Sequence, residues 1–346
     1  MSGIDAQTFR EAAERIASWR HPLLIAHEKP DGDALGSLIA MRAMLRTRGV
    51  AGRALLFDPI PDRYVLFGAL EPMPVLRRDV TEGDLAMHDA VIILDTCTYT
   101  QLPMLSNWLR ATSVPKLVVD HHVTRDPIAD WYLIDEPAAA TCLILYDGAR
   151  ALGWSIDREA ADAMFVGIAM DTGWFRHSNT DARALAAAAD LVSRGVEPHA
   201  LFEAMFQQES PARVALLGAA LGTLELSNDG RLALMTLSAA AMRVVGASPA
   251  DTEDIVNEPL RIASVIVSVL LVEQGDGLIR AGFRSKPPAT LRSTKASAAD
   301  IDVATIASAL GGGGHRRAAG ARIPGRLDDV AREIRLRLQP LLAPSI

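Results

Sequence analysis

Across 346 residues the chain has only two cysteines, Cys97 and Cys142, too few for a disulfide framework. Both read as reduced packing residues. Long apolar runs are also missing. The longest, Ala263 to Val272, has the length of a buried strand and falls far short of the roughly 18 residues that a membrane helix requires. A soluble chain with no membrane partner is therefore expected. An excess of positive charge is absent too. The formal net charge of −7 argues against tight, sequence-blind binding to long duplex nucleic acid, which depends on many Lys and Arg contacts to phosphate. Small phosphorylated substrates stay open, because metals and a few local arginines can meet their charge. The opening segment sets Asp5, Glu11 and Glu14 among Phe9, Ile16 and Trp19. That is the layout of an amphipathic helix rather than of a charged-then-apolar leader, so cytoplasmic residence is the default. No internal repeat interrupts the chain.

The length suits two domains. From about residue 20 to 190, short β-rich runs alternate with helical stretches, the signature of an α/β domain built on a parallel sheet. Leu23–Ala26, Ala90–Leu94 and Lys116–Val119 read as strands, and Asp33 to Gly49 as a helix with Leu38, Met41 and Leu45 on one stripe. Ala161 to Met170 fits a helix or a strand, and Asp171 is placed after a strand on local motif alone. Residues 182–225 are helical and Ala-rich, broken at Gly195 and at Gln207–Pro211, where Ser210 can cap and Pro211 can open a new helix. The expected division is a domain at 1–190, a helical connector at 191–222 and a smaller α/β domain at 223–346. Within the last, Leu224–Leu226 and Leu232–Leu237 form one hairpin. Ala263–Val272 and Leu278–Phe283 form a second, around Gln274–Gly277. A Pro287-Pro288 loop, a helix at Val303–Leu310 and a run of four glycines follow.

Acids and histidines gather where apolar runs end: His27-Glu28-Lys29-Pro30-Asp31-Gly32-Asp33, Asp95, Asp120-His121-His122 and Asp171. In open α/β sheets, ligands bind in the crevice beyond the carboxyl ends of the strands, so such side chains can converge. Two metal ions about 3.5 to 4 Å apart can stabilise both attacking and leaving oxygens at a phosphorus, and they need several carboxylates, one able to bridge. His27, Asp31, Asp33, Asp95, His121 and Asp171 meet that demand. Mixed imidazole and carboxylate ligands suit Mn²⁺, with Mg²⁺ or Co²⁺ as substitutes. Taken singly, Asp31-Gly32-Asp33 reads equally well as a turn or a helix cap, and Asp95 or Asp171 could each cap a following segment. Asp120-His121-His122 directly after an apolar strand is harder to explain as packing, since three adjacent polar groups there need partners.

These residues resemble the DHH phosphoesterase family, named for the Asp-His-His at 120–122. Gly311-Gly312-Gly313-Gly314-His315-Arg316-Arg317-Ala318-Ala319-Gly320 resembles the GGGH signature of the DHHA1 domain that accompanies it. The likeness runs from about residue 20 to 325. It implies His27 and Asp31 on one ion, Asp33, His121 and Asp171 on the other, and Asp95 bridging. His122 would face the substrate phosphate, and Asp120 would orient a histidine. It also implies that Gly312, Gly313, Gly314 and His315 grip the nucleotide end of a substrate. On physical grounds the glycine run can turn several N–H groups toward an anion as a nest. Phe283-Arg284-Ser285-Lys286 resembles the family's substrate-contact strand, and Arg261 lies in the same domain. Arginine there can hold phosphate through two parallel hydrogen bonds.

The two-domain length resembles the nanoRNase and pAp phosphatase branch. That likeness implies manganese-dependent release of mononucleotides from very short RNA, or of phosphate from 3'-phosphoadenosine 5'-phosphate (pAp). Cyclic di-AMP or pGpG phosphodiesterase, pyrophosphatase or exopolyphosphatase, and a non-catalytic nucleotide sensor are the alternatives. The family also makes a homodimer an expectation.

Overall fold

The structure, a computed structural model, describes residues 3–68, 73–275, 277–286 and 300–342. The Pro287-Pro288 loop and Asp276 of the second hairpin turn lie outside the described residues. The chain divides into two compact units, residues 1–208 and 209–346.

The first unit holds α1 (Ala6–Ala17), β1 (Leu23–Ile25), α2 (Gly32–Thr47), β2 (Arg53–Leu55), α3 (Val65–Gly68), β3 (Val91–Leu94), α4 (Ser106–Ala111), β4 (Lys116–Asp120), β5 (Trp131–Ile134), α5 (Thr141–Leu152), α6 (Arg158–Asp171), α7 (Ala182–Ser193) and α8 (Pro198–Phe206). All five strands run parallel in the order β2-β1-β3-β4-β5. Side chains alternate across the sheet. Leu24, Ile92, Leu117 and Val119 pack on one face with α2, α5 and α6. Leu23, Ile25, Val91, Ile93 and Val118 pack on the other with Leu102, Leu105 and Leu109. Both faces are covered, which is why the strands read as unbroken apolar runs. The strand order reverses direction between β1 and β3, so the crevice at their carboxyl ends is where such a sheet takes a ligand.

Helix α6 crosses α2 closely because Gly36 and Gly167 lie at the contact. A Cβ on Gly36 would stand 2.5 Å from the Ala163 carbonyl of α6, and one on Gly167 would stand 2.6 Å from Asp33 Oδ1 of α2. The Val166–Met170 run is thus helical, and Asp171 ends a helix rather than follows a strand. Small residues set the choice: Ala160, Ala161, Ala163, Gly167 and Ala169 let α6 approach α2.

The second unit comprises α9 (Pro211–Gly222), β6 (Glu225–Leu226), β7 (Leu232–Leu237), α10 (Ala239–Val245), β8 (Val267–Glu273), β9 (Leu278–Ser285), α11 (Val303–Ser308), β10 (Gly313–His315), β11 (Ala318–Pro324) and α12 (Leu327–Leu342). Its mixed sheet runs β10-β11-β9-β8-β7-β6. Helix α9 opens as its sequence suggests, with Ser210 capping the Arg213 N–H and Pro211 in the first turn. Both expected hairpins pair antiparallel. Strand β8 starts at Val267 rather than Ala263, because Ile262 to Val265 close a turn. Each unit has its own apolar core. Among the described residues no helix is long and apolar enough to cross a membrane.

Candidate metal centre

His27 follows β1, and its Nδ1 lies 2.7 Å from the Glu28 carbonyl. A carbonyl only accepts, so Nδ1 donates and Nε2 is the atom turned toward the acids. Nε2 stands 3.8 Å from Asp31 Oδ1 and 3.5 Å from Asp95 Oδ2. Asp31 caps α2, accepting from the N–H groups of Asp33 and Ala34. The helix-cap reading and the ligand reading of this residue therefore coexist. Asp33, in the first turn of α2, is fully buried.

Asp95 directly follows β3 in the left-handed region, φ 58°. Its N–H donates to the Val119 carbonyl at 3.0 Å, which holds it at the sheet edge between β3 and β4. Such a backbone is strained for a residue with a side chain and concentrates at functional positions. From the end of β4, His121 donates through Nδ1 to the Ala138 carbonyl at 3.0 Å. Its Nε2 lies 3.2 Å from Asp171 Oδ2 and 3.6 Å from Asp95 Oδ1. It is buried and makes no hydrogen bond of good geometry among the described residues. Asp171 sits at the carbonyl end of α6, the end of a helix least suited to a negative charge.

The electrostatics point the same way. Burial, then the charges of Asp95 and Asp171, push the Asp33 carboxyl well above the usual carboxylate range. Burial likewise raises Asp95, with Asp31 and Asp171 adding repulsion. Burial disfavours the His27 imidazolium, but Asp31 and Asp95 more than offset this and push it up to about 11. His121 behaves alike: burial is outweighed by Asp171, Asp33 and Asp95, and its value rises to about 10. The cluster lacks positive charge and draws protons onto its imidazoles in compensation. Two acid–histidine groups, His27/Asp31/Asp95 and Asp33/His121/Asp171, each have ligand atoms within 4.8 Å of one another. An imidazole nitrogen with no well-aligned hydrogen bond, two buried carboxylates and Nε2–Oδ separations of 3.2 to 3.8 Å fit a divalent cation.

His122 is built differently. Its Nδ1 donates to Asp120 Oδ1 at 2.7 Å, and its side chain is 44 % exposed against 15 % for His121. Buried Asp120 also accepts the N–H groups of His121 and His122 through the same oxygen. His122 therefore presents Nε2 outward, and its hydrogen bond to Asp120 raises its pKa against the effect of burial.

Beyond Asp171, Gly173, Trp174 and Phe175 all adopt positive φ. Trp174 packs against Phe165, Phe202 and Phe206, which settles it as part of an aromatic cluster. Residues outside the recognised motifs also reach the centre. Thr141 and Cys142, at the start of α5, donate their N–H groups to the two oxygens of Asp33, at 2.6 and 2.9 Å. No sequence pattern marks them, since their partner lies over a hundred residues away.

In the second unit, a cavity of about 680 Å³ opens on the sheet. Arg280, Gly282 and Arg284 alternate on one face of β9, while Ile279, Ala281 and Phe283 are buried on the other. Gly320 and Arg322 of β11 pair opposite Gly282 and Arg280. Arginines thus flank a glycine floor, and Gly311 and Gly312 complete the wall. The glycine run is not a nest. The N–H groups of Gly311 and Gly312 close the end of α11, and Gly313–His315 form edge strand β10. Close approach explains two of these glycines: a Cβ on Gly312 or Gly314 would stand 2.1 or 2.6 Å from a β11 carbonyl. Gly313 and His315 are exposed on that edge. The Ser285 hydroxyl is buried and donates to the Ile301 carbonyl. Arg261 is exposed, pairs with Glu258 and does not line the cavity.

The DHH family N-terminal domain matches residues 23–168, and the DHHA1 domain matches residues 237–339. The chain belongs to the DHH family. DHH relatives include the bifunctional oligoribonuclease and PAP phosphatase NrnA of Thermus thermophilus, 28 % identical over 92 % of this chain and 89 % of that protein. A probable manganese-dependent inorganic pyrophosphatase of Streptococcus mutans is 32 % identical over 49 % of this chain and 54 % of its own length. In fold, the chain is similar to an exopolyphosphatase-related protein from Bacteroides fragilis, with TM-score 0.82 and 20 % identity, covering 99 % of both chains. The expected α/β architecture is what the structure has, a parallel five-stranded sheet followed by a second, mixed sheet. A hydrolase of the phosphoesterase type follows from the family.

Proposed function

We propose that this chain is a two-metal phosphoesterase that degrades very short oligoribonucleotides to mononucleotides and removes phosphate from pAp. The observation that carries the reading is the meeting of His27, Asp31 and Asp95 with Asp33, His121 and Asp171 in one half-buried crevice short of positive charge. His27 and Asp31 would hold one ion, Asp33, His121 and Asp171 the other, and Asp95 both. When bound, such ions supply Lewis-acid stabilisation of phosphoryl oxygens and make water a nucleophile near neutral pH. Imidazole and carboxylate donors suit manganese, and the Streptococcus mutans relative's name includes that metal.

The chain's own groups do the rest. Each ligand imidazole is fixed by a main-chain carbonyl on Nδ1, which sets its ring plane and reserves Nε2 for the ion. Asp120 keeps a proton on His122 Nδ1, so Nε2 can hand a hydrogen bond or a proton to a phosphoryl or leaving oxygen. In the second unit, Arg280, Arg284 and Arg322 offer forked donors to a phosphate, and the Gly282–Gly320 floor admits a flat ring. The substrate class is taken from the Thermus thermophilus relative, which covers nearly the whole chain.

The test is hydrolysis, in Mn²⁺ and in EDTA, of a ribodinucleotide, a five-mer, pAp, cyclic di-AMP, pGpG and pyrophosphate. Manganese-dependent turnover of the short RNAs and pAp is the expected result. Preference for the cyclic dinucleotide, pGpG or pyrophosphate would replace the substrate class, and silence across the panel would favour a nucleotide sensor.

A further inference from the structure

Helix α5 begins without a side-chain cap of its own, since Ala140 stands at that position. The first N–H groups of a helix need acceptors. Here Asp33 supplies them from α2, one oxygen to Thr141 and the other to Cys142. The Thr141 side chain is fully buried as well, and its hydroxyl donates to Asp95 Oδ1 at 3.0 Å. The same short segment provides the Ala138 carbonyl that orients His121, and the Ala139 carbonyl that takes Asn179, whose amide also bonds the Asp171 carbonyl. Residues 138–142 therefore touch, directly or through Asn179, Asp33, Asp95, His121 and Asp171 of the centre.

Asp95 is the residue most exposed to an error in orientation. Its Oδ2 faces His27, and its Oδ1 faces His121 and His122. The terminal torsion of an aspartate is broad, so nothing in the side chain itself keeps its two oxygens divided this way. The only hydroxyl donor to it among the described residues is Thr141. We infer that Thr141 is a positioning residue: it locks the rotation of the Asp95 carboxylate so that one oxygen serves each half of the metal centre, while its own N–H holds Asp33 in register. This rests on the two-metal reading above.

The experiment is titration of the metal-free full-length chain with Mn²⁺, followed by electron paramagnetic resonance, which counts free ions and reports whether bound ions are magnetically coupled as a pair. Thr141→Val keeps the side-chain shape and removes the donor. It should weaken Mn²⁺ binding by about 10- to 100-fold, the range for loss of a group that orients a ligand, and diminish the coupled-pair signal. Thr141→Ser should restore both to within about threefold of the native chain. Melting of each variant in EDTA checks that the fold is intact. If Thr141→Val fails to fold, Thr141→Ala against Thr141→Ser carries the same comparison, because the two differ only in the hydroxyl. Native affinity and coupling in Thr141→Val, or equal impairment of the Ser and Val variants, would overturn the positioning role while leaving the metal centre standing. A native chain that binds no manganese pair would overturn both.

Discussion

Two nitrogens decide how the centre behaves toward protons. The Nε2 atoms of His27 and His121 face carboxylates at 3.2 to 3.8 Å, and their values of about 11 and about 10 lie above neutrality. Both rings are thus protonated in the metal-free protein near neutral pH. A cation must displace those protons, so manganese affinity should climb as pH rises toward these values, with protons released on binding. Calorimetric titration near neutral pH in buffers of different ionisation enthalpy checks this; a binding heat indifferent to the buffer would contradict it. Asp95→Asn removes the whole negative charge that its two oxygens share, turns one of those acceptors into a donor, and should lower turnover of every substrate by more than about a hundredfold, beyond what loss of an orienting residue costs. Steady-state rates on pAp and on bis-p-nitrophenyl phosphate measure it. Asp120-His121-His122 was legible, because three adjacent polar groups after an apolar run need partners, whereas Asp31, Asp95 and Asp171 taken singly read equally well as caps, which Asp31 also is. Thr141 and Ala138 were not, because an ordinary threonine and a main-chain carbonyl acquire their roles only from a distant partner.

Among the elements, α6 is the one that local pattern could not decide. Its small residues serve a helix that nearly touches α2, and short apolar runs carry no period that distinguishes this from a strand. Gly167→Ala would bring a methyl 2.3 Å from Cys142 Sγ and 2.6 Å from Asp33 Oδ1. It should cost about 1 to 3 kcal/mol, as overpacking does, read from the urea midpoint of the metal-free chain. A midpoint equal to the native one would mean that α2 and α6 separate freely. Strand β2 escaped notice because it is three residues long and opens on Arg53, and β5 because it is a four-residue edge strand, Trp131–Ile134, with one residue buried. The glycine run misled in the opposite direction: it signals close strand pairing as readily as a loop. On the proposed reading, the alternation of arginine with glycine on β9 makes a specific demand on substrates. Arg284→Ala should raise KM for pAp by about 10- to 100-fold, the worth of a charged hydrogen-bonded contact, and leave bis-p-nitrophenyl phosphate untouched. Equal losses on both would remove the cavity from substrate binding.

At the scale of the whole molecule, each unit has its own core, and the acid–histidine centre belongs to the first alone. Saturating manganese at about a hundred times its dissociation constant adds about 2.7 kcal/mol to the folded state for each independent site that it fills. Calorimetric melting should therefore show one transition that Mn²⁺ raises and EDTA returns, and a second that neither moves. A common shift of all unfolding would mean that the units melt as one. The alternation of β and α and the two hairpins made the two-sheet architecture readable from sequence. The pairing of Asp33 with α5 was hidden, and it binds the history of this chain as well as its chemistry. Asp33 closes the start of one helix from the first turn of another, so any descendant that abandons hydrolysis cannot simply discard it. Losing the acceptor would cost such a lineage about 1 to 3 kcal/mol for each buried N–H left unpaired, a reason to keep one at that position. An acidic or amide residue there would persist as a relic, long after the reaction it once served had been lost.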